Sequence, residues 1–132
     1  MDELEIQKSI KKRQFYYFQG REYEKRNQPE KAIKSYLDYS GALSSEDQHI
    51  PHQWISKLYE KLGDKESSFI HLELFANGST DARKSEIYKE IGEKYELLER
   101  YEKALEYFQK ATAINNQIGL KTKISKLQEK LK

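Results

Sequence analysis

The chain has 132 residues and a formal net charge of +2, so it fits one domain and does not point to nucleic acid or an anionic membrane as a partner. Charged residues make up 35% and apolar residues 36% of the chain, which would favour disorder if the apolar residues were scattered rather than periodic. The absence of cysteine excludes disulfides and thiol chemistry, and the lack of a membrane-spanning run or signal-peptide pattern makes a cytoplasmic protein the expectation.

Residues 2–27 are predicted to form one long helix, because their aromatic and aliphatic side chains continue a helical stripe that no Gly-Pro break interrupts. The first dozen residues, 1–12, extend this helix ahead of the first hairpin and either cap it or bind a partner. Pro29 has no N–H to lose at the first position of a helix, so a second helix is expected from there to about Leu43. The polar segment 44–50 lacks periodicity and is the longest predicted linker.

The second hairpin is predicted to begin with a helix at Pro51. A Gly-Asp pair at 63–64 ends that helix and predicts a turn followed by an N-cap. The partner helix is expected over about 65–76, and one of the two hydroxyl residues at 79–80 is expected to cap the helix that follows.

The third hairpin is expected over about 81–115, where small and apolar residues recur at helical spacing in two segments joined by a polar turn. Gly92 and Ala104 place a small residue in each helix, which allows the two backbones to approach closely. Tyr95 and Phe108 are expected to fill the space beside them.

A final helix is predicted over about 117–131, where it would cover an apolar edge that the third hairpin otherwise exposes. Its apolar side chains are Ile118, Leu120, Ile124, Leu127 and Leu131. Basic residues are concentrated in this helix and near the start of the chain, at Lys121, Lys123, Lys126, Lys130 and Lys132 and at Lys8, Lys11, Lys12 and Arg13. We interpret them mainly as solubilising faces of the two ends of a stack, with anion binding as the alternative.

An internal repeat appears when the sequence is shifted by 36 residues. The positions that coincide include Tyr23, Tyr59 and Tyr95, and also Gly20, Ser56 and Gly92. The predicted organisation is one domain with three repeats at 13–46, 49–82 and 85–118, followed by a capping helix at 119–132.

The third copy resembles the tetratricopeptide repeat, which spaces an aromatic residue, Leu, Gly, Tyr, Ala and Phe along two helices. The matching residues here are Tyr88, Ile91, Gly92, Tyr95, Ala104 and Phe108. The first copy matches nearly as well, at Tyr16, Gly20, Tyr23, Ala32 and Tyr36, whereas the middle copy is degenerate, with His52, Ser56, Ser68 and Leu72. The resemblance implies an all-α fold, a right-handed α-solenoid of antiparallel helix hairpins, and a function in binding another protein or peptide.

In this family the first helix of each pair lines a concave groove, which implies binding residues at the non-core positions of those helices. These positions hold Tyr17, Arg21, Gln53, Trp54, Lys57, Lys89, Glu90 and Glu93. Trp54 is either an exposed anchor for a peptide or a packing residue that replaces the aromatic side chain missing at His52. The predicted groove has residues of mixed character at one end and acidic residues at the other. This favours a partner with some Lys or Arg and an apolar contact.

One known function of the family, the clamp by which chaperone cofactors hold the carboxylate of a heat-shock protein, is not expected here. The positions that hold the Lys, Asn and Arg residues of the clamp are occupied in this chain by Tyr17, Arg21, Trp54, Glu86 and Glu90. Two carboxylates there would repel the ligand.

The candidates for a metal or catalytic site are His49, His52 and His71. No carboxylates with ligand spacing accompany them, and the chain has neither a Gly-rich phosphate loop nor a nucleophile motif. We therefore expect no metal, no cofactor and no enzymatic activity.

The main functional hypothesis is an adaptor or interaction module that holds a segment of a partner protein in its groove. One alternative is a structural homo-oligomer in which the N-terminal segment or the final helix of one chain docks on another. A further alternative is a small regulatory peptide receptor, although receptors with similar repeats usually need more repeats and an output domain.

Overall fold

The computed structural model describes residues 1–132 and consists of seven helices without strands, which confirms the predicted all-α class. The helices are α1 (Glu3–Lys25), α2 (Pro29–Ala42), α3 (His52–Lys61), α4 (Lys65–Asn77), α5 (Asp81–Leu97), α6 (Tyr101–Ile114) and α7 (Lys121–Lys130). Three hairpins form, because α1 packs on α2, α3 on α4 and α5 on α6. None of the seven helices combines the length and the hydropathy needed to cross a membrane.

The chain forms two compact units. The amino-terminal unit, residues 1–78, holds α1 to α4, and α2 contacts α3 within it. The carboxy-terminal unit, residues 79–132, holds α5 to α7, and α6 contacts α7. The stacking of all three hairpins into one right-handed solenoid stays a prediction.

The helix boundaries follow local rules that the sequence displays. Pro29 is the first residue of α2, and the carboxylate of Asp64 accepts a hydrogen bond of 3.1 Å from the backbone N–H of Ser67 at the start of α4. Gly63, just before this cap, has a φ of 81°, in the left-handed region that glycine tolerates. Thr80 caps α5 in the same way as Asp64 caps α4. These predicted turns and caps are confirmed.

The linker between the first two hairpins is longer than predicted and is held by hydrogen bonds. It runs from 43 to 51, since α2 ends at Ala42 and α3 begins at His52. The hydroxyl of Ser40 in α2 donates to the backbone carbonyl of Gln48 at 2.6 Å. This bond ties the middle of the linker back to the helix that precedes it.

In the first hairpin, an aromatic ring lies directly on a glycine of the partner helix. A Cβ atom added to Gly20 would lie 2.5 Å from the Cε1 atom of Tyr36, so the two helices meet at a contact that leaves no room for a side chain. Tyr36 is almost fully buried, and its hydroxyl donates to the carboxylate of Glu24. Burial first, and then this bond to an anion, raise the pKa of Tyr36, so the hydroxyl stays protonated.

The third hairpin repeats this contact with different residues. A Cβ atom on Gly92 would lie 2.5 Å from the ring of Phe108, which is fully buried together with Ala104. The sequence predicted that Phe108 fills the space beside Gly92, and in the structure its ring lies directly on this glycine.

The middle hairpin lacks this glycine and uses a hydrogen bond instead. The buried hydroxyl of Ser56 donates to the backbone carbonyl of Ser68 at 2.8 Å and lies 3.0 Å from its Oγ atom. Serine is small enough for the helices to approach, and the bond satisfies the hydroxyl in the core. The degenerate copy thus still has a small residue in each helix at this crossing, and the two residues are joined by a hydrogen bond.

The final helix begins at Lys121, about four residues later than predicted. The backbone N–H of Gln117 donates to the side-chain oxygen of Asn115, and Gly119 has a φ of 81°. A left-handed residue cannot continue a right-handed helix, so the segment before α7 forms a turn.

The prediction that the final helix covers the third hairpin is correct for some of its apolar side chains. Leu120 and Leu127 are buried, and α7 packs on α6. Leu131 is 39% exposed, so its prediction as a covering residue is wrong. It lies one residue beyond the end of α7, where the chain no longer follows the helical face.

Replacing Gly20 with alanine tests the ring contact. Gly20→Ala is expected to lower the free energy of unfolding by about 1 kcal/mol, because overpacking against the Tyr36 ring outweighs the better helix propensity of alanine. Gly41→Ala is the matched control, since Gly41 lies in α2 with nothing within 4 Å of its Cβ position. It should raise stability by up to about 1 kcal/mol. Urea unfolding followed by circular dichroism measures both, and equal stabilisation by the two variants would contradict the contact.

Candidate interaction surface

An aromatic cluster joins α1, α2 and α3 in the amino-terminal unit. Its members are Tyr17, Tyr36, Tyr39 and Trp54, and we call it the Trp54 cluster. The Trp54 ring stacks on Tyr39 with 6.2 Å between centroids and 10° between planes. It also lies 5.4 Å from Tyr36 and 5.9 Å from Tyr17. The single tryptophan of α3 is therefore held by rings from both helices of the first hairpin.

The two interpretations of Trp54 can be compared with these contacts. Trp54 packs, but against the first hairpin rather than in the place of His52 in the second. The ring of His52 itself packs at this aromatic position of the repeat, where it stacks on His71 with centroids 5.0 Å apart. Trp54 is only partly buried, so part of its side chain remains accessible. Its role as an anchor for a partner stays a prediction.

A cavity of about 270 Å³ lies beside the Trp54 cluster. Its walls are mostly aromatic and aliphatic, with one cation, and consist of Ile10, Arg13, Gln14, Tyr17, Phe18, Tyr39 and Leu43. Tyr17 and Tyr39 belong to both the cluster and the cavity. A concave site of this composition can take an apolar side chain and orient a polar group at Arg13 or Gln14.

The predicted groove residues of the first two hairpins lie on α1 and α3. The rings of Tyr17 and Trp54 are in contact across these helices, with 5.9 Å between their centroids. Arg21 and Lys57 are exposed one turn further along their helices, and Gln53 is partly buried. The structure thus brings two of the five together and places the other three nearby on the same helices.

The groove prediction missed the contribution of α2. It considered only the first helix of each hairpin, whereas Tyr39 of α2 and Leu43, the residue that follows α2, line the cavity. The signal in the sequence was the spacing of three residues between Tyr36 and Tyr39, which puts both rings on one side of α2.

A comparison with known families identifies the third hairpin. Residues 85–118, which include most of α5 and all of α6, match the family model described as the tetratricopeptide repeat. This hairpin is a tetratricopeptide repeat. A search of curated proteins gave no significant match. The predicted repeats at 13–46 and 49–82 stay predictions, although each contains a helix hairpin.

The tetratricopeptide repeat carries the remaining predicted groove residues on α5. Lys89 is partly buried, whereas Glu90 and Glu93 are exposed. They lie in the carboxy-terminal unit, and a single groove that joins them to Trp54 stays a prediction. Tetratricopeptide repeats in general mediate contacts between proteins and carry no catalytic site.

The three histidines do not converge on one point. The Nδ1 atoms of His52 and His71 are 2.8 Å apart, and the Tyr59 ring stacks on His71. His49 instead stacks on Phe75, with centroids 5.8 Å apart. No group of three or more potential ligands is placed to hold a metal ion.

Burial keeps the histidine pair neutral. It lowers the pKa of His52, with smaller contributions from the nearby His71 and His49, and it also lowers the pKa of His71. With one ring donating its Nδ1–H to the other, the pair is a hydrogen-bonded contact between α3 and α4. The pair therefore has a structural role that depends on pH.

Acidification is expected to weaken the amino-terminal unit as the pH falls through the ordinary histidine pKa of about 6.5 and on towards the lower pKa of the folded chain. Both histidines have a lower pKa in the folded chain, so the unfolded chain binds more protons as the pH falls below 6.5, and stability present at higher pH is lost. Urea unfolding at a series of pH values, followed by Trp54 fluorescence, measures the change. His71→Phe retains a ring but cannot titrate, so it should flatten this dependence; an undiminished slope would contradict the assignment.

Proposed function

We propose that this chain is a protein-interaction module that holds an extended or helical segment of another protein on the Trp54 cluster and its adjoining cavity. The observation that carries the proposal is the contact of Tyr17 with Trp54 beside a cavity lined mainly by aromatic and aliphatic side chains. Rigid aromatic rings that are packed on one side and accessible on the other are typical anchors of protein interfaces. The general role of tetratricopeptide repeats supports the same class of function.

The charges around the cavity indicate the chemistry of the partner segment. Arg13 lines the cavity, and Arg21 is exposed one turn after Tyr17 on the same helix. We infer that the segment inserts a large apolar side chain into the cavity and carries a carboxylate that meets one of these arginines.

Two phenylalanines of α1 offer a matched test of the cavity. Phe18 lines it and is 65% exposed, whereas Phe15 lies outside it and is 59% exposed. Peptides selected from a displayed random library on the wild-type chain serve as probes, with affinities measured by calorimetry. Phe18→Ala should weaken binding about fivefold or more, equivalent to about 1 kcal/mol, because it removes a cavity wall.

Phe15→Ala should leave the same affinities unchanged, because Phe15 does not reach the cavity. Trp54→Ala should also abolish binding. Because this substitution disturbs the packing of three tyrosines, a loss of binding counts only if circular dichroism shows that the variant keeps the native helix content. Equal effects of Phe15→Ala and Phe18→Ala would move the interface away from the cavity and contradict the proposal.

Self-association is a second candidate function that one observation favours. Leu4, Phe15 and Phe18 lie on one face of α1, because eleven residues complete about three helical turns. All three are more than half exposed. A second copy of the chain could cover this stripe by packing its own α1 against it.

Charge substitutions on the stripe test self-association. The wild-type mass in sedimentation velocity should rise with concentration, and the double variant Leu4→Glu and Phe15→Glu should stay monomeric, because each carboxylate would have to be buried in the interface. A wild-type chain that stays monomeric at high concentration rules this candidate out.

A further inference from the structure

The lysines near the end of the chain do not all project from one solvent-exposed face. Residues 117–132 contain five lysines and one glutamate, a charge excess that the sequence alone assigns to solubility. In the structure, Lys123, Lys126 and Lys130 line a common cavity of about 510 Å³, which we call the α7 cavity. It is built entirely from residues of the carboxy-terminal unit.

The lining of the α7 cavity includes one aliphatic and one aromatic side chain. Leu127 is buried between the lysines of α7, and Tyr101 at the start of α6 forms a wall. The Nζ atom of Lys130 lies 4.1 Å from the centre of the Tyr101 ring, so its ammonium group lies over the face of the ring in a cation–π contact. A ligand would therefore meet cations beside an aliphatic side chain.

The α7 cavity has an excess of positive charge. Glu96 is the one carboxylate in its lining, and it is already paired with Lys123 at 3.1 Å. Lys126 is exposed and has no ion pair, and Lys130 contacts only the Tyr101 ring. The start of α7, whose first turn contributes Thr122 and Lys123, adds the positive end of a helix dipole.

We propose that the α7 cavity binds an acidic segment of another protein. Two of its carboxylates meet Lys126 and Lys130, and an aliphatic side chain between them rests on Leu127. This arrangement complements the two cations that have no ion pair and the Leu127 side chain in the lining. The ligand uses side-chain carboxylates, so the site needs no free chain terminus.

An acidic peptide accounts for the cavity better than a nucleic acid does. No arginine lines it, and the face of its single aromatic ring is taken by Lys130 rather than open for a base to stack on. Nucleic-acid sites also extend positive charge along a strip that follows many phosphates, whereas here the unpaired cations are two.

The probe is a fluorescein-labelled peptide GSEELEELGS with an amidated C-terminus, titrated with the full chain and followed by anisotropy at about 0.1 M ionic strength. The wild type should bind it saturably, and Lys126→Glu should weaken binding about fivefold or more, because an attraction becomes a repulsion. Lys121→Glu makes the same charge change on the same helix but outside the cavity. It should change the affinity less than about twofold, through net charge alone.

Further measurements locate the site and identify the class of ligand. Phe18→Ala, which alters the other proposed surface, should leave the binding of this peptide unchanged, and circular dichroism should show native helix content in every variant. Absence of saturable binding to the wild type, or an equal loss in Lys126→Glu and Lys121→Glu, or a loss in Phe18→Ala, would overturn the proposal. Tighter binding of a short DNA duplex, lost in Lys126→Glu, would overturn the peptide assignment in favour of nucleic acid.

Discussion

The close approach of two helices over a small residue is the constraint on which the hairpins depend. A ring lies on glycine in two of them, Tyr36 on Gly20 and Phe108 on Gly92, and the pairs leave no room for even a methyl group. Each hairpin is a thin layer, so few side chains can be fully buried and most positions face water. A chain with 35% charged residues can therefore fold, because its sparse apolar residues are concentrated at these contacts.

The same contact connects the fold to the candidate surface. Tyr36 has one side of its ring on Gly20, and the ring also lies 5.4 Å from Trp54 of the next hairpin. Its hydroxyl is held by Glu24, so the ring has little freedom to move. The position of Trp54 thus depends on the closure of the first hairpin, and the accessible rings beside the cavity rest on a rigid base.

The sequence predicted what local rules and periodicity govern, and it missed what depends on neighbours in space. The caps at Asp64 and Thr80 and the helices themselves were predictable because a few adjacent residues determine them. Helical spacing indicated the face on which Trp54 lies but could not show that Tyr39, from another helix, stacks on it. For the same reason the sequence did not show that Lys126 borders a cavity, because residues distant in the chain complete its lining.

The position of the single tryptophan restricts tryptophan fluorescence to the amino-terminal unit. Trp54 lies within about 6 Å of three tyrosine rings, so light absorbed by those rings is transferred efficiently to the indole, whose emission then reports on the packing of α1, α2 and α3. The carboxy-terminal unit contains tyrosines but no tryptophan. The intrinsic emission of the unlabelled chain therefore distinguishes events in one unit from events in the other.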